Sequence, residues 1–415
     1  MSKLLKKKKI LAIMDHPLST SGVGVQARYL LMGLVDTGKY SIKCLGTAIK
    51  HENYDLVSVG DDFIIKPIDG FGSPEFIRMT IAAEQPDALF IFTDPRFFQH
   101  IFNLEDEIHQ VCPIVYWHVW DNEPYPAYNE WIYRSVDLFN CHSYLTYELV
   151  SSRFPDKTNF IPHAVPHDIF KPLSAEQRTK YKKQLLKQNC DNFMLLWVNR
   201  NARRKKPNDV LMSVKLAMDT IRARGEEPKF TLVMHTDPAD VEGPNLLATT
   251  HALGIVEHVV FSTNKLNFEE MNIFYNVADA TINIACAEGF GLSTLESMQA
   301  GAPIIAATTG GLTRQVIDHR DGSQNGIAIK PAVRTLVGSQ QVPYIYEDHV
   351  ANEDVANAIV ALYDMSPEER AKLGQKARDY TLSEFDLKTT IRRWDETLSK
   401  TIKDFDHERW TCTEL

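Results

Sequence analysis

Cysteine is sparse in this chain and never falls in a pair that could chelate or bridge. Among 415 residues there are six, Cys44, Cys112, Cys141, Cys190, Cys286 and Cys412, with no C-x-x-C spacing. That excludes a disulfide framework and a cysteine zinc site, and reduced structural thiols are expected. Long apolar runs are missing too. Lys3 and Lys6 to Lys9 crowd the N-terminus, but the apolar run behind them, residues 10–14, ends at Asp15. A secretory leader needs a longer apolar core and a spanning helix needs about 20 apolar residues, so a cytoplasmic protein is expected. The lysines read as a solvated tail before the first strand, or as a peripheral contact with anionic lipid or nucleic acid. Net positive charge is absent as well. The 45 basic residues face 54 acidic ones, a formal charge of −9, which argues against non-specific nucleic-acid or lipid binding. No low-complexity tract occurs, because 20 glycines and 20 prolines are spread along the chain. With 44% hydrophobic residues the chain should be globular, in two or three domains of roughly 150 residues.

What is present is alternation. Short apolar runs at 10–14, 41–45, 88–92, 114–117, 138–141 and 159–161 are separated by segments with helical periodicity at 23–35, 74–84, 97–108, 128–136 and 144–154. This pattern predicts parallel strands with crossover helices. A break follows at Pro162, Pro166 and Pro172, then a lysine-rich polar stretch. Alternation restarts with strands at 193–198, 230–234, 259–261, 280–284, 304–306 and 326–329, and helices at 207–224, 268–277 and 291–300. Residues 331–349 are polar and irregular and read as an inserted loop. From 353 on the pattern is helical. The expected domains are 1–165, a linker 166–190, a second domain 191–385, and a terminal helical segment 386–415. Leu387, Ile391, Trp394, Leu398 and Ile402 recur at helical spacing, so one face of that last helix should be buried.

The most informative stretch runs from Ala287 to Glu296. Two carboxylates, Glu288 and Glu296, flank a Gly-Phe-Gly turn that opens a helix. A helix N-terminus offers unpaired N–H groups and partial positive charge to a phosphate, and glycine allows close backbone approach. Carboxylates on both sides can accept hydrogen bonds from hydroxyls, which matches a sugar nucleotide. Ordinary complementation of a helix dipole by two glutamates is the plainer reading. A second cluster, Asn199 to Lys206, carries five basic residues between a strand and a helix that Pro207 could start. A third, Ser19 to Val25, follows the first strand with a lone G-x-G, Gly22 and Gly24, which is weak by itself and equally suits a tightly packed turn. The full G-x-G-x-x-G is absent, since position 27 is alanine, and this lowers an NAD-binding reading. A fourth, Tyr116 to Asp121, ends another strand with His118 among aromatics.

In order and spacing, Tyr275-Asn276-Val277-Ala278-Asp279-Ala280, Glu288-Gly289-Phe290-Gly291-Leu292, Glu296, Ala300-Gly301-Ala302-Pro303 and Gly310-Gly311 resemble the retaining nucleotide-sugar glycosyltransferases of the GT-B fold, group 1. The likeness is strongest from about residue 195 to 316, and the N-terminal half matches in outline. The resemblance implies an α/β fold of two doubly wound Rossmann-like domains facing across a cleft, with the last helix crossing back to the first. It implies that Glu288 binds hydroxyls of the transferred sugar, that Phe290, Gly291 and Leu292 form the turn holding the distal phosphate, and that Glu296 binds the ribose. Arg200 and Lys205 fall where the family directs cations at the diphosphate. Lys206 stands where a glycine is usual, and could replace Lys205. Gly22 and Gly24 would lie near the donor phosphates, and His118 would touch the transferred sugar, though a packed histidine is an alternative. Asp121 could orient it, and Trp117, Trp120, Tyr125 and Tyr128 could form a platform or simply core. Two fixed cations can stabilise a departing diphosphate without a metal, so no metal or cofactor is expected. The implied reaction moves a sugar from a UDP or GDP sugar to an unidentified hydroxyl acceptor by front-face substitution. An epimerase of the same fold or a non-catalytic sugar-nucleotide or glycan binder are the alternatives.

Overall fold

A computed structural model describes residues 6–406; Lys3 and Cys412 lie outside the described residues. The described chain divides into two compact units. The first takes the residues up to Ala164, Gly338–Tyr344 and the chain from Leu387 on, and the second takes Val165–Val337 and Ile345–Asp386.

The first unit is built on an eight-stranded sheet. Its strands are β1 (Lys8–Asp15), β2 (Tyr40–Thr47), β3 (Val57–Gly60), β4 (Phe63–Pro67), β5 (Ala88–Thr93), β6 (Ile114–His118), β7 (Leu138–Cys141) and β8 (Thr158–Phe160). They lie in the order β3-β4-β2-β1-β5-β6-β7-β8, antiparallel only between β3 and β4. The near-continuous apolar runs are those of strands covered on both faces. Side chains alternate between two cores accordingly: Leu11 and Ile13 of β1 join Leu89 and Ile91 of β5 in one, while Ile10, Ala12 and Met14 join Phe90 and Phe92 in the other. The second core is closed by the helix Gly22–Asp36 and by the terminal helix Leu387–Asp404. Trp394 of that helix is wholly buried, with its ring 4.9 Å from Phe90 and 5.1 Å from Trp117. Asp395 accepts from Tyr40 Oη at 2.7 Å and pairs with Lys39 at 2.6 Å, which fixes the helix register.

The second unit holds β9 (Phe193–Val198), β10 (Phe230–His235), β11 (Val259–Ser262), β12 (Ala280–Asn283), β13 (Ile304–Ala307) and β14 (Ile327–Ile329). All pairs are parallel in the order β11-β10-β9-β12-β13-β14. This is the doubly wound Rossmann order, with its topological switch between β9 and β12. Helix starts follow local rules. Asn267 with Glu270, Ser174 with Gln177 and Ser366 with Glu369 each form a reciprocal capping box.

Several expectations are corrected. Residues 331–349 are no irregular loop but an antiparallel hairpin, β15 (Val333–Val337) with β16 (Ile345–His349); the long polar connection between the strands hides the short-turn signature. The stretch expected as a linker belongs to the second unit. It carries the helix Ala175–Leu186 and is fastened there where Lys171 and Leu173 N–H donate to Asn272 and Asn276 at 3.1 and 2.7 Å. The helix expected over 97–108 is broken into Gln99–Phe102 and Glu105–His109, because Leu104, at φ −106° and ψ 12°, leaves the helical path between them. The basic N-terminus is not a solvated tail throughout. Lys8 and Lys9 already belong to β1, Lys7 pairs with Asp62, and Lys8 pairs with Asp87 at 3.0 Å. The described cysteines are free thiols. Among the described residues no helix is long and apolar enough to cross a membrane.

Trp394→Ala is expected to cost the first unit about 3–5 kcal/mol, the range for removing a buried tryptophan, and calorimetric unfolding checks it. Burial also holds His118 and His163 well below the ordinary histidine value of 6.5. Both are therefore neutral when folded and take a proton only on unfolding. The stability they contribute is complete above pH 6.5 and is lost as the pH falls below it, with a slope of about 1.4 kcal/mol per pH unit for each. Melting curves across this range, with His163→Phe flattening the slope, test the sign.

Candidate functional site

At the switch point of the second unit, the loop after β9 and the loop after β12 come together. The first runs from Asn199 through a turn of 3-10 helix, Arg203–Lys205, into Lys206, whose φ of 56° is left-handed. A glycine would take that conformation without strain, which explains why Lys206 is the odd residue there. The helix Pro207–Ala223 then begins. Cys286 N–H donates to Arg204 O at 2.9 Å, and Arg204 Nη1 donates to Ala287 O at 3.0 Å. These bonds bring Lys205 against Glu288. The two side chains form an ion pair and are each only 11% exposed. Burial pushes the Glu288 carboxyl up, but Lys205 and Arg204 more than offset it and hold it below the ordinary glutamate range. Glu288 is therefore ionised at neutral pH.

The helix Leu292–Ala300 starts beside this pair. Its first turn has no side-chain cap, and Gly291 before it has φ 92°. A Cβ there would also meet Leu312 Cδ2 at 2.4 Å. The turn is braced from below, where Gly311 N–H donates to Glu288 O at 2.9 Å and Gln315 Nε2 donates to Phe290 O at 2.7 Å. Phe290 itself is buried, edge-on to Phe385 at 5.7 Å, so its ring anchors the turn. Glu296 lies one turn along. Its Oε2 accepts from the buried Tyr275 hydroxyl at 2.7 Å, and burial raises its pKa to about 7 despite that bond. The folded protein thus holds this proton more tightly than the unfolded chain, and the burial cost appears as pH rises from 4.5 through about 7. A narrow crevice lined by Val198, Tyr275, Asn283, Ser293 and Thr294 opens at these strand ends. Among the described residues no group of three or more His, Cys, Asp or Glu is placed to hold a metal.

Arg200 is at the same loop but turned toward β10. It makes a two-pronged pair with Asp240, at 2.7 and 3.0 Å. Arg203 makes another with Glu347 of β16, at 3.1 and 2.6 Å. Lys206 is 4.0 Å from Asp209. Of the two lysines it is Lys205 that meets Glu288.

In the first unit the corresponding switch lies between β1 and β5. Gly22 is exposed at the first position of its helix, and Ser21 caps that end, accepting from Gly24 N–H at 3.0 Å and donating to Asp15 Oδ2 at 2.7 Å. Gly24 is buried where a Cβ would stand 2.6 Å from His16 O. The tightly packed turn is thus its observed role. His118 does not sit at this strand end as a free contact. It is 1% exposed, inside the core, with its Nε2 at 2.8 Å from Tyr133 Oη. Tyr133, not Asp121, orients it. Trp117 and Trp120 are likewise core, Trp117 stacked 4.1 Å from Phe92. Sequence reasoning missed Asp15 and Asp94, two carboxyls at this switch that burial pushes above the ordinary aspartate range. It also missed Tyr275 as the partner of Glu296, although Tyr275 stood within the quoted motif.

The parallel sheets and their switch points define an α/β protein of the GT-B fold. Solved structures agree. The sucrose-phosphate synthase of Thermosynechococcus elongatus matches with a TM-score of 0.72 over 96% of this chain and all of that one, at 16% identity. HepE of Anabaena, solved with UDP and glucose, matches with a TM-score of 0.68 over 95% of this chain and all of that one, at 17% identity. Residues 177–380 match the family model for glycosyl transferases group 1, and that stretch of the chain belongs to the family. Relatives include the D-inositol 3-phosphate glycosyltransferase of Acidothermus cellulolyticus, 31% identical over 40% of this chain. Another is D-inositol 3-phosphate glycosyltransferase 2 of Catenulispora acidiphila, 29% identical over 52% of this chain. The matched stretches span only 37% and 44% of those relatives' own lengths.

Gly291→Ala is expected to cost about 1–3 kcal/mol, the range for a side chain forced into left-handed backbone. Urea unfolding of the second unit, with Gly289→Ala as the comparison, measures it.

Proposed function

We propose that this protein is a retaining glycosyltransferase that moves a sugar from a nucleoside diphosphate sugar to a hydroxyl acceptor. The observation that carries the reading is the convergence at one switch point of an uncapped helix end, the Lys205–Glu288 pair and Glu296. The diphosphate sits at the amides of Gly291 and Leu292, where helix N–H groups favour an anion. Glu288 accepts hydrogen bonds from the transferred sugar and Glu296 from the ribose. Lys205, with Arg200 released from Asp240, takes up the charge on the departing diphosphate. The bond from the anomeric carbon to the phosphate oxygen breaks as the acceptor oxygen bonds to the same face, and the leaving phosphate receives the acceptor's proton. The chain's part is positioning and electrostatics, with no metal or cofactor in the scheme.

UDP sugars come first among donors, since HepE was solved with UDP, and GDP sugars second. The first unit holds the acceptor. Fold does not choose an acceptor, so a panel that includes D-inositol 3-phosphate, the word in the relatives' names, is the place to begin. We place the protein in the cytoplasm. A peripheral membrane contact through Lys6 to Lys9 weighs less, because Lys7 and Lys8 are already paired.

Arg200→Ala and Lys205→Ala should each lower transfer about 100-fold or more, the effect of one missing charge-stabilising donor. Near-normal turnover in both variants and in their combination would sink those roles. Donor affinity should rise with pH through about 7 as Glu296 ionises, and Glu296→Gln should flatten that profile. Calorimetric titration with UDP from pH 6 to 8 is the check. Donor conversion without any acceptor would favour an epimerase, and donor binding without turnover a non-catalytic binder.

A further inference from the structure

The hairpin of β15 and β16 touches the donor site through two consecutive acidic residues. Glu347 and Asp348 are 5% and 1% exposed. Glu347 receives both prongs of Arg203 in the loop after β9. Asp348 N–H donates to Cys286 O at 2.7 Å, in the loop after β12. Its carboxylate accepts from Thr309 Oγ1 at 2.7 Å, in the loop after β13, and from Arg334 Nε at 2.6 Å across the hairpin. Thr309 immediately precedes the Gly310-Gly311 turn that braces Glu288. Two neighbouring residues on one strand therefore tie together all three loops that form the donor end of the second unit. Arg334 closes the network on the strand opposite, so the hairpin is held as a unit.

We propose that the hairpin is a brace for the donor site, in which Glu347 and Asp348 are positioning residues that set the spacing between the Lys205 loop, the Glu288 loop and the glycine turn beneath it. Neither residue touches the nucleotide. They act through Arg203, Cys286 and Thr309. A buried carboxylate that satisfies several donors is costly to leave half-satisfied, so the three loops can shift only together. The inference rests on the donor-site reading given above, because it assigns the hairpin a task only if these loops hold a nucleotide.

The test uses the full chain and the near-isosteric changes Glu347→Gln and Asp348→Asn. Each variant is titrated with UDP and with GDP by calorimetry. Amide hydrogen exchange is followed in the ligand-free protein. The expected result is about tenfold weaker binding of whichever nucleotide the unaltered protein takes, a loss of about one 1.4 kcal/mol step. Exchange should quicken at 203–206, 286–291 and 309–311 and stay unchanged in β1 and β5. Arg203→Ala combined with Glu347→Gln should be no worse than the more damaging of the two alone. Unchanged affinity with unchanged exchange overturns the proposal. So does faster exchange spread evenly over the second unit, which marks a plain loss of stability. An unaltered protein that binds neither nucleotide overturns the donor-site reading, and the exchange measurement then still decides whether the hairpin holds the loops.

Discussion

The ion pair between Lys205 and Glu288 is the constraint on which the second unit's loops depend. Each side chain is only 11% exposed. A charge so placed is tolerable only with a partner, because the desolvation penalty of a lone buried ion is several kcal/mol. The two residues come from loops after different strands, on opposite sides of the switch point. Keeping the pair means keeping the loops in register, and the bonds from Cys286 and Arg204 do the same through the backbone. Gly291 can then turn left-handed and open the next helix with no side chain capping its amides.

The rest of the basic loop follows the same logic of local neutralisation. Arg200 has Asp240, Arg203 has Glu347, and Arg204 donates to a backbone carbonyl. A loop with five cations would repel itself in the folded state without such partners. The acidic residues arrive from four separate places, and one of them is the hairpin. What remains uncompensated is the helix end, whose partial positive charge is fixed by backbone and does not depend on a proton. That division leaves the exposed Arg200 pair as the weak link, since ion pairs in water contribute little, while the buried Lys205 pair is the strong one.

The two glutamates of the motif illustrate how environment separates identical side chains. Glu288 is held ionised by Lys205 and Arg204, whereas Glu296, bonded to the Tyr275 hydroxyl, is raised by burial to about 7. Eight positions of sequence separate them, yet one carries a permanent charge and the other titrates near neutrality. A carboxylate tuned in this way is a frequent mark of a binding or catalytic position. In the first unit Asp15 and Asp94 are shifted in the same direction as Glu296 at the equivalent switch.

Much of this was legible in the amino-acid order. The central strands β5, β6, β9 and β10 are largely apolar runs because both of their faces are covered, and that signal is local. The Glu288 to Glu296 turn was legible because a left-handed glycine before a helix is a local demand. So was the terminal helix, whose Trp394 stripe repeats at helical spacing. What the order of residues could not reveal were the partners brought from afar. Nothing near Arg200 announces Asp240, nothing near Glu296 states that Tyr275 will bond it, and nothing near His118 says that Tyr133 will bury it. The hairpin read as a loop because its two strands are short and their pairing spans a long polar connection. Local chemistry determined which backbone each segment adopts. Only packing decided which charges are buried together, because desolvation and pairing depend on distance in space and not along the chain.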